Sequence, residues 1–111
     1  GITDYDGAIQ WYTLSAEQGN ALGQFLLART YQMGDSKHEP DYTLSKQWYQ
    51  SAEAKYPPAA IALGFIEETV FENFTAAKTH YEVAAKSDDP LGQYNLGLVY
   101  LEGKTDAINN S

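Results

Sequence analysis

The chain has 111 residues, enough for one compact domain or a few stacked helical units and too few for two independent cores. Its 43% apolar share and nine tyrosines are typical of a folded protein, and its net charge of -8 disfavours nucleic acid and anionic membrane surfaces as partners. The absence of cysteine excludes disulfides and thiolate chemistry, and no apolar run approaches the roughly 18 residues of a membrane-spanning helix.

The first predicted element is a pair of helices over residues 4–34. Aromatic and small residues recur at spacings of three and four from Tyr5 to Ala16, which is the period of one face of an α-helix. Residues suited to capping or ending helices mark four boundaries: Asp4, Gly19, Asn20 and Gly34.

Two further helix pairs follow, over residues 41–70 and 73–103. In the middle pair, a proline dipeptide separates the two helices, because proline cannot continue a helix that precedes it. In the last pair, an aspartate before a proline is the arrangement that helix starts favour. The predicted boundary residues are Asp41, Tyr56–Pro58, Asn73, Asp89 and Pro90.

The three pairs are copies of one unit. A shift of 69 aligns residues 4–34 with residues 73–103 without a gap, and nine of the 31 positions are identical. Shifts of 37 and then 36 align the middle pair with the first. Because self-similarity at this period is the signature of a solenoid, we predict three stacked repeats, a disordered tail over residues 104–111, and an origin in a longer array.

An aromatic pair and two small-residue positions recur in each copy. The aromatic pair is Trp11-Tyr12, Trp48-Tyr49 and His80-Tyr81. The small positions are Ala8, Ser45 and Ala77 in the first helices, and Ala28, Gly64 and Gly97 in the second helices. We expect helix backbones to approach closely at the small positions in every copy and both members of each aromatic pair to pack between helices.

The segment WYTLSAEQGNALGQFLLARTYQMG, residues 11–34, resembles a Sel1-like repeat in its aromatic pair, Glu-Gln-Gly turn, small-Gln step and closing Gly. The third copy is similar, whereas the middle copy has Glu67 in place of a tyrosine and Val70 in place of the closing glycine. The tetratricopeptide repeat, with its strict 34-residue period and W-x2-L-G-x2-Y opening, fits less well. The resemblance implies an all-α, right-handed α-solenoid of three antiparallel helix pairs with a tetratricopeptide-like superhelix.

The same resemblance implies an adaptor role rather than chemistry. Members of this family act in the bacterial periplasm, among secreted bacterial proteins that meet host cells or cell-wall enzymes, and in the lumen of the endoplasmic reticulum. The resemblance therefore favours a periplasmic or secreted location and a role in virulence.

No arrangement of residues in the sequence predicts an enzyme, a metal site or a cofactor. We interpret His38 as a solvated loop residue, His80 as half-buried packing, and the pair Glu67-Glu68 as part of a solvated face. Nucleophile-elbow, P-loop and dinucleotide-binding motifs are absent from the sequence. Two glycosylation sequons begin at Asn73, which we interpret as a helix cap, and at Asn109.

The candidate binding residues are the first-helix positions beside the packing face. By analogy with tetratricopeptide grooves, these positions line the concave side, and their identities differ between copies while the packing face is repeated. They are Asp6, Ile9, Thr13, Glu17, Thr43, Lys46, Gln50, Glu53, Thr75, Lys78, Glu82 and Lys86.

The sequence therefore predicts a non-enzymatic module that holds a protein or peptide in this groove, with no nucleic acid, membrane insertion or small-molecule cofactor. An exported bacterial protein that acts on a cell-envelope enzyme or a host factor is the leading expectation. The alternatives are a glycan- or peptidoglycan-binding module or cell-wall hydrolase, an endoplasmic reticulum adaptor, and a spacer within a longer array.

Overall fold

A computed structural model describes residues 4–102, and the regular secondary structure in this range is helical, without strands. The predicted all-α class is therefore confirmed. The six helices are α1 (Asp4–Glu17), α2 (Ala21–Met33), α3 (Tyr42–Ala52), α4 (Pro57–Thr69), α5 (Phe74–Lys86) and α6 (Pro90–Glu102). The tail predicted over residues 104–111 lies outside the described residues.

Side-chain caps begin most of the helices, as the sequence predicts. In each of three caps the side-chain oxygen accepts a hydrogen bond from a backbone N–H three residues later: Asn20 from Gly23 (2.8 Å), Asp41 from Leu44 (3.0 Å) and Asn73 from Ala76 (3.1 Å). Asp89, before Pro90, accepts from the backbone N–H two residues later, that of Leu91, at 2.9 Å. Asp4 was predicted to cap α1 and is instead its first helical residue, and a negative charge in the first turn interacts favourably with the helix dipole.

The first two helices end at glycines in the left-handed region, with φ of 85° at Gly19 and 60° at Gly34. Asp88 takes the place of Gly19 in the third copy and adopts the same conformation, with φ of 61°. The prolines of the middle copy form the first turn of α4, since α3 already ends at Ala52. The predicted break between these helices is confirmed.

The structure divides into two compact units, one ending at Tyr56 and the other beginning at Pro57. The first unit contains α1, α2 and α3, and the second contains α4, α5 and α6. Chain length alone did not predict this division, and it falls between the two helices of the predicted middle repeat.

In the first unit, α2 packs against both α1 and α3. Residues later in the α3 segment contact residues earlier in α2: Asp41 contacts Tyr31, Ser45 contacts Ala28, and Tyr49 contacts Phe25. The two helices are therefore antiparallel. Gln24 at the start of α2 donates to the carbonyl of Ala16 near the end of α1 at 3.3 Å, as expected for an antiparallel pair.

In the second unit, α5 packs against both α4 and α6. The backbone of Asn73 before α5 donates to Glu67 near the end of α4 at 2.8 Å, and the ring of Tyr81 lies over Gly64. Ala77 and Tyr81 form a buried cluster with Val99 of α6. The core of this unit is thus built around one face of α5.

The aromatic pair behaves differently from the prediction. Tyr49 and Tyr81 are 1% exposed, which confirms packing for the second member of the pair. Trp11, by contrast, is 67% exposed, so the prediction that it packs between helices is wrong. Trp48 and His80 are half-buried, and for His80 this was predicted.

The small-residue prediction holds in α2, α3, α4 and α5 and fails in α6. Ser45, Ala77, Ala28 and Gly64 are buried against neighbouring helices. Gly97 is exposed, and a Cβ built on it would have nothing within 4 Å. Within residues 4–102, the equivalent small-residue position therefore has a helix packed against it in α2 and α4 and none in α6.

The prediction of a solvated face at Glu67-Glu68 is also wrong, since Glu67 is 3% exposed and Glu68 beside it is half-buried. His38 lies in the connection between α2 and α3, as predicted, with its side chain 37% exposed and its imidazole stacked on the ring of Tyr5.

Candidate protein-interaction surface

The twelve candidate binding residues form one stripe along each of α1, α3 and α5, with Glu53 directly after the last residue of α3, and we call them the variable stripes. Within each helix they are spaced by three or four residues, so they share one face. None of them is buried. The exposed members are Asp6, Glu17, Thr43, Gln50, Thr75 and Lys86, and the half-buried members are Ile9, Thr13, Lys46, Glu53, Lys78 and Glu82.

In the variable stripes, Asp6 and Lys78 contact other parts of their own unit. A carboxylate oxygen of Asp6 lies 3.7 Å from Nε2 of His38, and the ammonium of Lys78 lies 4.6 Å from the ring centre of Tyr100. A cation over an aromatic ring at this distance contributes about 0.5–1 kcal/mol at an exposed site. These two side chains are therefore partly fixed in position.

A histidine cluster joins α1 to the connection between α2 and α3. The ring of His38 stacks on Tyr5 with centroids 4.3 Å apart and planes 10° apart, and its Nδ1 lies 2.8 Å from Asp35. Asp35 also accepts hydrogen bonds from the backbone N–H groups of Lys37 and His38. The hydrogen bond with His38 lowers the pKa of Asp35, and the backbone donors act in the same direction.

The second aromatic of the repeat forms a hydrogen bond to the helix before it. The hydroxyl of Tyr49 in α3 donates to Gln32 in α2 at 2.6 Å, and the hydroxyl of Tyr81 in α5 donates to Glu68 in α4 at 3.0 Å. Burial raises the pKa of Tyr49 to about 12. Burial also raises the pKa of Tyr81, with a further contribution from the negative charge of Glu68.

An exposed apolar patch on α1 was missed by the sequence prediction. Trp11 is 67% exposed and Leu14, one turn further along the same side of the helix, is 46% exposed. At 100° per residue, Trp11 lies about 160° around the helix from Ile9, so the patch is separate from the variable stripe. Alignment of the repeats does not reveal that Trp11 is exposed, because Trp11 aligns with Trp48, which is half-buried.

Other chemistry is not evident in the described part of the chain. Residues 4–102 contain no group of three or more His, Asp or Glu side chains placed to hold a metal ion. None of the helices in this range is long and apolar enough to cross a membrane.

Antiparallel helix pairs, a recurring buried tyrosine and small residues at fixed positions define a helical-repeat protein of the α-solenoid class. The Sel1 repeat family model matches residues 2–20, 21–55 and 90–110, which together make up more than half of the chain. The chain belongs to the Sel1 repeat family, whose repeats are generally protein-interaction modules. The family resemblance noted in the sequence is thus confirmed.

Two curated relatives are similar to nearly the whole chain. The ERAD-associated E3 ubiquitin-protein ligase component HRD3B of Arabidopsis thaliana is 31% identical over 107 residues, which cover 93% of this chain and 16% of that protein. The putative sel1-like repeat-containing protein L21 of Acanthamoeba polyphaga mimivirus is 34% identical over 102 residues, covering 87% of this chain and 18% of that protein. The chain thus spans less than a fifth of either relative. No solved structure is significantly similar to it.

Proposed function

We propose that this chain is a non-enzymatic interaction module that recognises a protein or peptide through its variable stripes. The observation that supports the proposal is the contrast between two faces of the same helices. The packing face repeats small residues and a tyrosine, whereas the variable stripes change identity from copy to copy and are half-buried or exposed. Shared packing with divergent surface residues fits a scaffold whose repeats each contact a different part of one partner.

Site-specific crosslinking tests this proposal. A photoreactive amino acid is placed at Thr43, Gln50 or Thr75, which are exposed stripe positions, and at Arg29, an exposed position of α2, as the matched control. We expect one protein to crosslink from stripe positions and not from Arg29. Equal capture from all four positions would indicate nonspecific association and contradict the proposal.

A stripe variant provides the second arm of the test. Replacing Lys46, Gln50, Lys78 and Glu82 together changes both sign and shape on α3 and α5. We expect capture of the crosslinked protein to be lost while helical content, measured by circular dichroism, is retained. Because Lys78 also lies over Tyr100, the single change Gln50→Glu at an exposed position tests binding without disturbing that contact.

As to cellular location, the similarity to the Arabidopsis relative favours an endoplasmic reticulum adaptor over an exported bacterial protein. That relative is named as a component of an ERAD-associated E3 ubiquitin-protein ligase. We propose that this chain occupies a similar adaptor position. A chimera in which this chain replaces the matched segment of the relative tests the proposal: retained co-purification with the ligase supports it, and loss with a folded chimera contradicts it. The proposed periplasmic location and role in virulence have no comparable support.

A glycan-binding function is the second candidate, and the exposed indole of Trp11 is the observation that favours it. Sugar rings stack on exposed aromatic faces, and Trp11 with Leu14 forms such a surface. Titration with muropeptides, followed by tryptophan fluorescence, tests this candidate. Saturable quenching in the native chain that disappears in Trp11→Leu and persists in Trp48→Leu would support it. No change in fluorescence would remove it.

A further inference from the structure

The connection between α4 and α5 is an exposed turn that leads into the sequon Asn73-Phe74-Thr75. Residues 70–73 are all exposed, and Glu72 has a left-handed φ of 52°, which is typical of turns. Thr75, in the first turn of α5, is exposed as well. An N-glycosylation acceptor needs the pattern Asn-X-Ser/Thr, with X not proline, at the protein surface. The segment meets both requirements, that of sequence and that of exposure.

The side-chain amide of Asn73 has an oxygen and a nitrogen, and the cap of α5 uses only the oxygen. Oδ1 accepts a hydrogen bond from the backbone N–H of Ala76 at 3.1 Å, and this bond fixes the orientation of the amide because only its oxygen can accept. The backbone N–H of Asn73 donates to Glu67 at 2.8 Å, and its carbonyl accepts from Ala77 at 3.0 Å. The cap thus holds Asn73 at the surface without using Nδ2, the atom to which an N-linked glycan is attached.

We propose that Asn73 is an N-glycosylation site and that the glycan and the helix cap coexist on one side chain. The proposal rests on the endoplasmic reticulum location proposed above, because the lumen of that organelle supplies the glycosyl transferase and its lipid diphosphate-linked oligosaccharide.

The chemistry of transfer is compatible with the cap. Nδ2 gives up one proton to a base of the transferase and forms a bond to the anomeric carbon of the first sugar. The bond from that carbon to the diphosphate oxygen breaks, and the lipid diphosphate leaves with the electron pair. Oδ1 of Asn73 takes no part and is still a carbonyl oxygen in the product, so it continues to accept from Ala76.

The residues before the sequon also fit a glycan at this position. Val70 and Phe71 are apolar, and they are 39% and 43% exposed. An N-linked glycan is bulky and solubilising. A glycan on Asn73 starts two residues from Phe71 and would cover part of this apolar surface.

Expression of the chain behind a cleavable secretory leader in eukaryotic cells tests the proposal. Asn109→Gln removes the second sequon, so that an N-glycan reports on Asn73. Peptide N-glycosidase in heavy-oxygen water converts a glycosylated asparagine into a labelled aspartate, and mass spectrometry locates the label. We expect the label at residue 73.

Matched variants at Thr75 and Asn73 separate the sequon from the cap. Thr75→Ser retains the sequon and Thr75→Val removes it, and both leave the capping residue unchanged. Asn73→Asp retains a capping side chain and removes Nδ2. We expect the label in Thr75→Ser and its complete loss in Thr75→Val and Asn73→Asp.

Thermal unfolding tests whether the glycan and the cap coexist. Enzymatic removal of the glycan leaves aspartate at residue 73, and aspartate caps helices about as well as asparagine. We therefore expect the glycosylated and deglycosylated chains to melt at nearly the same temperature, and Asn73→Ala, which lacks the cap, to melt several degrees lower. A glycosylated chain that melts as low as Asn73→Ala would overturn the proposal, because the glycan would then have broken the cap.

Two further results would overturn the proposal without bearing on the adaptor function. One is an unlabelled residue 73 in a chain whose leader has been cleaved, since cleavage shows that the chain reached the lumen. The other is a label that persists in Thr75→Val. The chimera described above tests the adaptor function separately: a labelled residue 73 in a chimera that fails to co-purify with the ligase would support the glycosylation site and contradict the adaptor function.

Discussion

Replacing Gly64 by alanine is expected to destabilise the second unit, whereas the equivalent replacement at Gly97 is expected to stabilise it. A Cβ at Gly64 would lie 2.5 Å from Cε1 and 2.7 Å from Cδ1 of Tyr81, much closer than van der Waals contact allows. The ring of Tyr81 is 1% exposed and its hydroxyl is held by Glu68 at 3.0 Å, so it cannot move away freely. A Cβ at Gly97 would meet open space.

The size of the effect follows from two opposing contributions. Replacing glycine by alanine within a helix stabilises it by about 1 kcal/mol at both positions. Overpacking against the ring destabilises the Gly64 variant alone, by about 1–3 kcal/mol. The helix contribution cancels between the two variants, so Gly97→Ala should exceed Gly64→Ala in stability by about 1–3 kcal/mol. Each kcal/mol corresponds to about 4–8 °C in melting temperature for a domain of this size.

Thermal unfolding followed by far-UV circular dichroism measures this difference. Tyr81→Leu provides the control background, because removal of the ring should abolish most of the difference between the two alanine variants. If Gly64→Ala proved as stable as Gly97→Ala in the native background, the close packing of Tyr81 on α4 would be refuted.

Three further predictions concern hydrogen bonds within the units. Tyr49→Phe should lower the free energy of unfolding by about 1 kcal/mol through loss of the bond to Gln32, measured by urea denaturation. The stabilising contribution from the raised pKa of Tyr49 is fully present below the ordinary tyrosine pKa of 10.0 and is lost as the pH rises through about 12. Tyr49→Phe should therefore show a shallower alkaline loss of stability. Asn73→Ala should cost about 1 kcal/mol by removing the cap of α5, with a lower melting temperature as the readout, and Asn73→Asp should retain most of the stability. His38→Ala should move the pKa of Asp35 back toward 3.8 in an NMR titration. In the native chain, the stability that Asp35 contributes is present above that value and is lost as the pH falls through the lowered pKa. The native chain should therefore resist mild acid better than the variant.

The helix boundaries could be predicted from the sequence because a cap acts within three residues of itself. Asn20 and Asn73 each satisfy a backbone N–H in the next turn, and that geometry does not depend on the rest of the fold. Burial could not be predicted in the same way. Trp11 and Trp48 have nearly the same local setting, yet their exposure differs because it depends on which helices lie beside them.

For the candidate site, the helical spacing of the residues could be predicted from the sequence, and contacts between helices could not. Helical spacing correctly placed the variable stripes on unburied faces, because it follows from the period of the helix alone. The role of Glu68 was missed because its partner, Tyr81, is 13 residues away and on another helix. Alignment of the repeats contains the missing signal, since Gln32 and Glu68 occupy equivalent positions and both accept a tyrosine hydroxyl.

The buried tyrosine recurs because both its ring and its hydroxyl need a specific partner, whereas the residue before it varies. Its ring needs a small residue on the preceding helix, and its hydroxyl needs an acceptor there, since burying an unpaired hydroxyl costs about 1–3 kcal/mol. Gln32 and Glu68 differ in charge and both meet the second requirement.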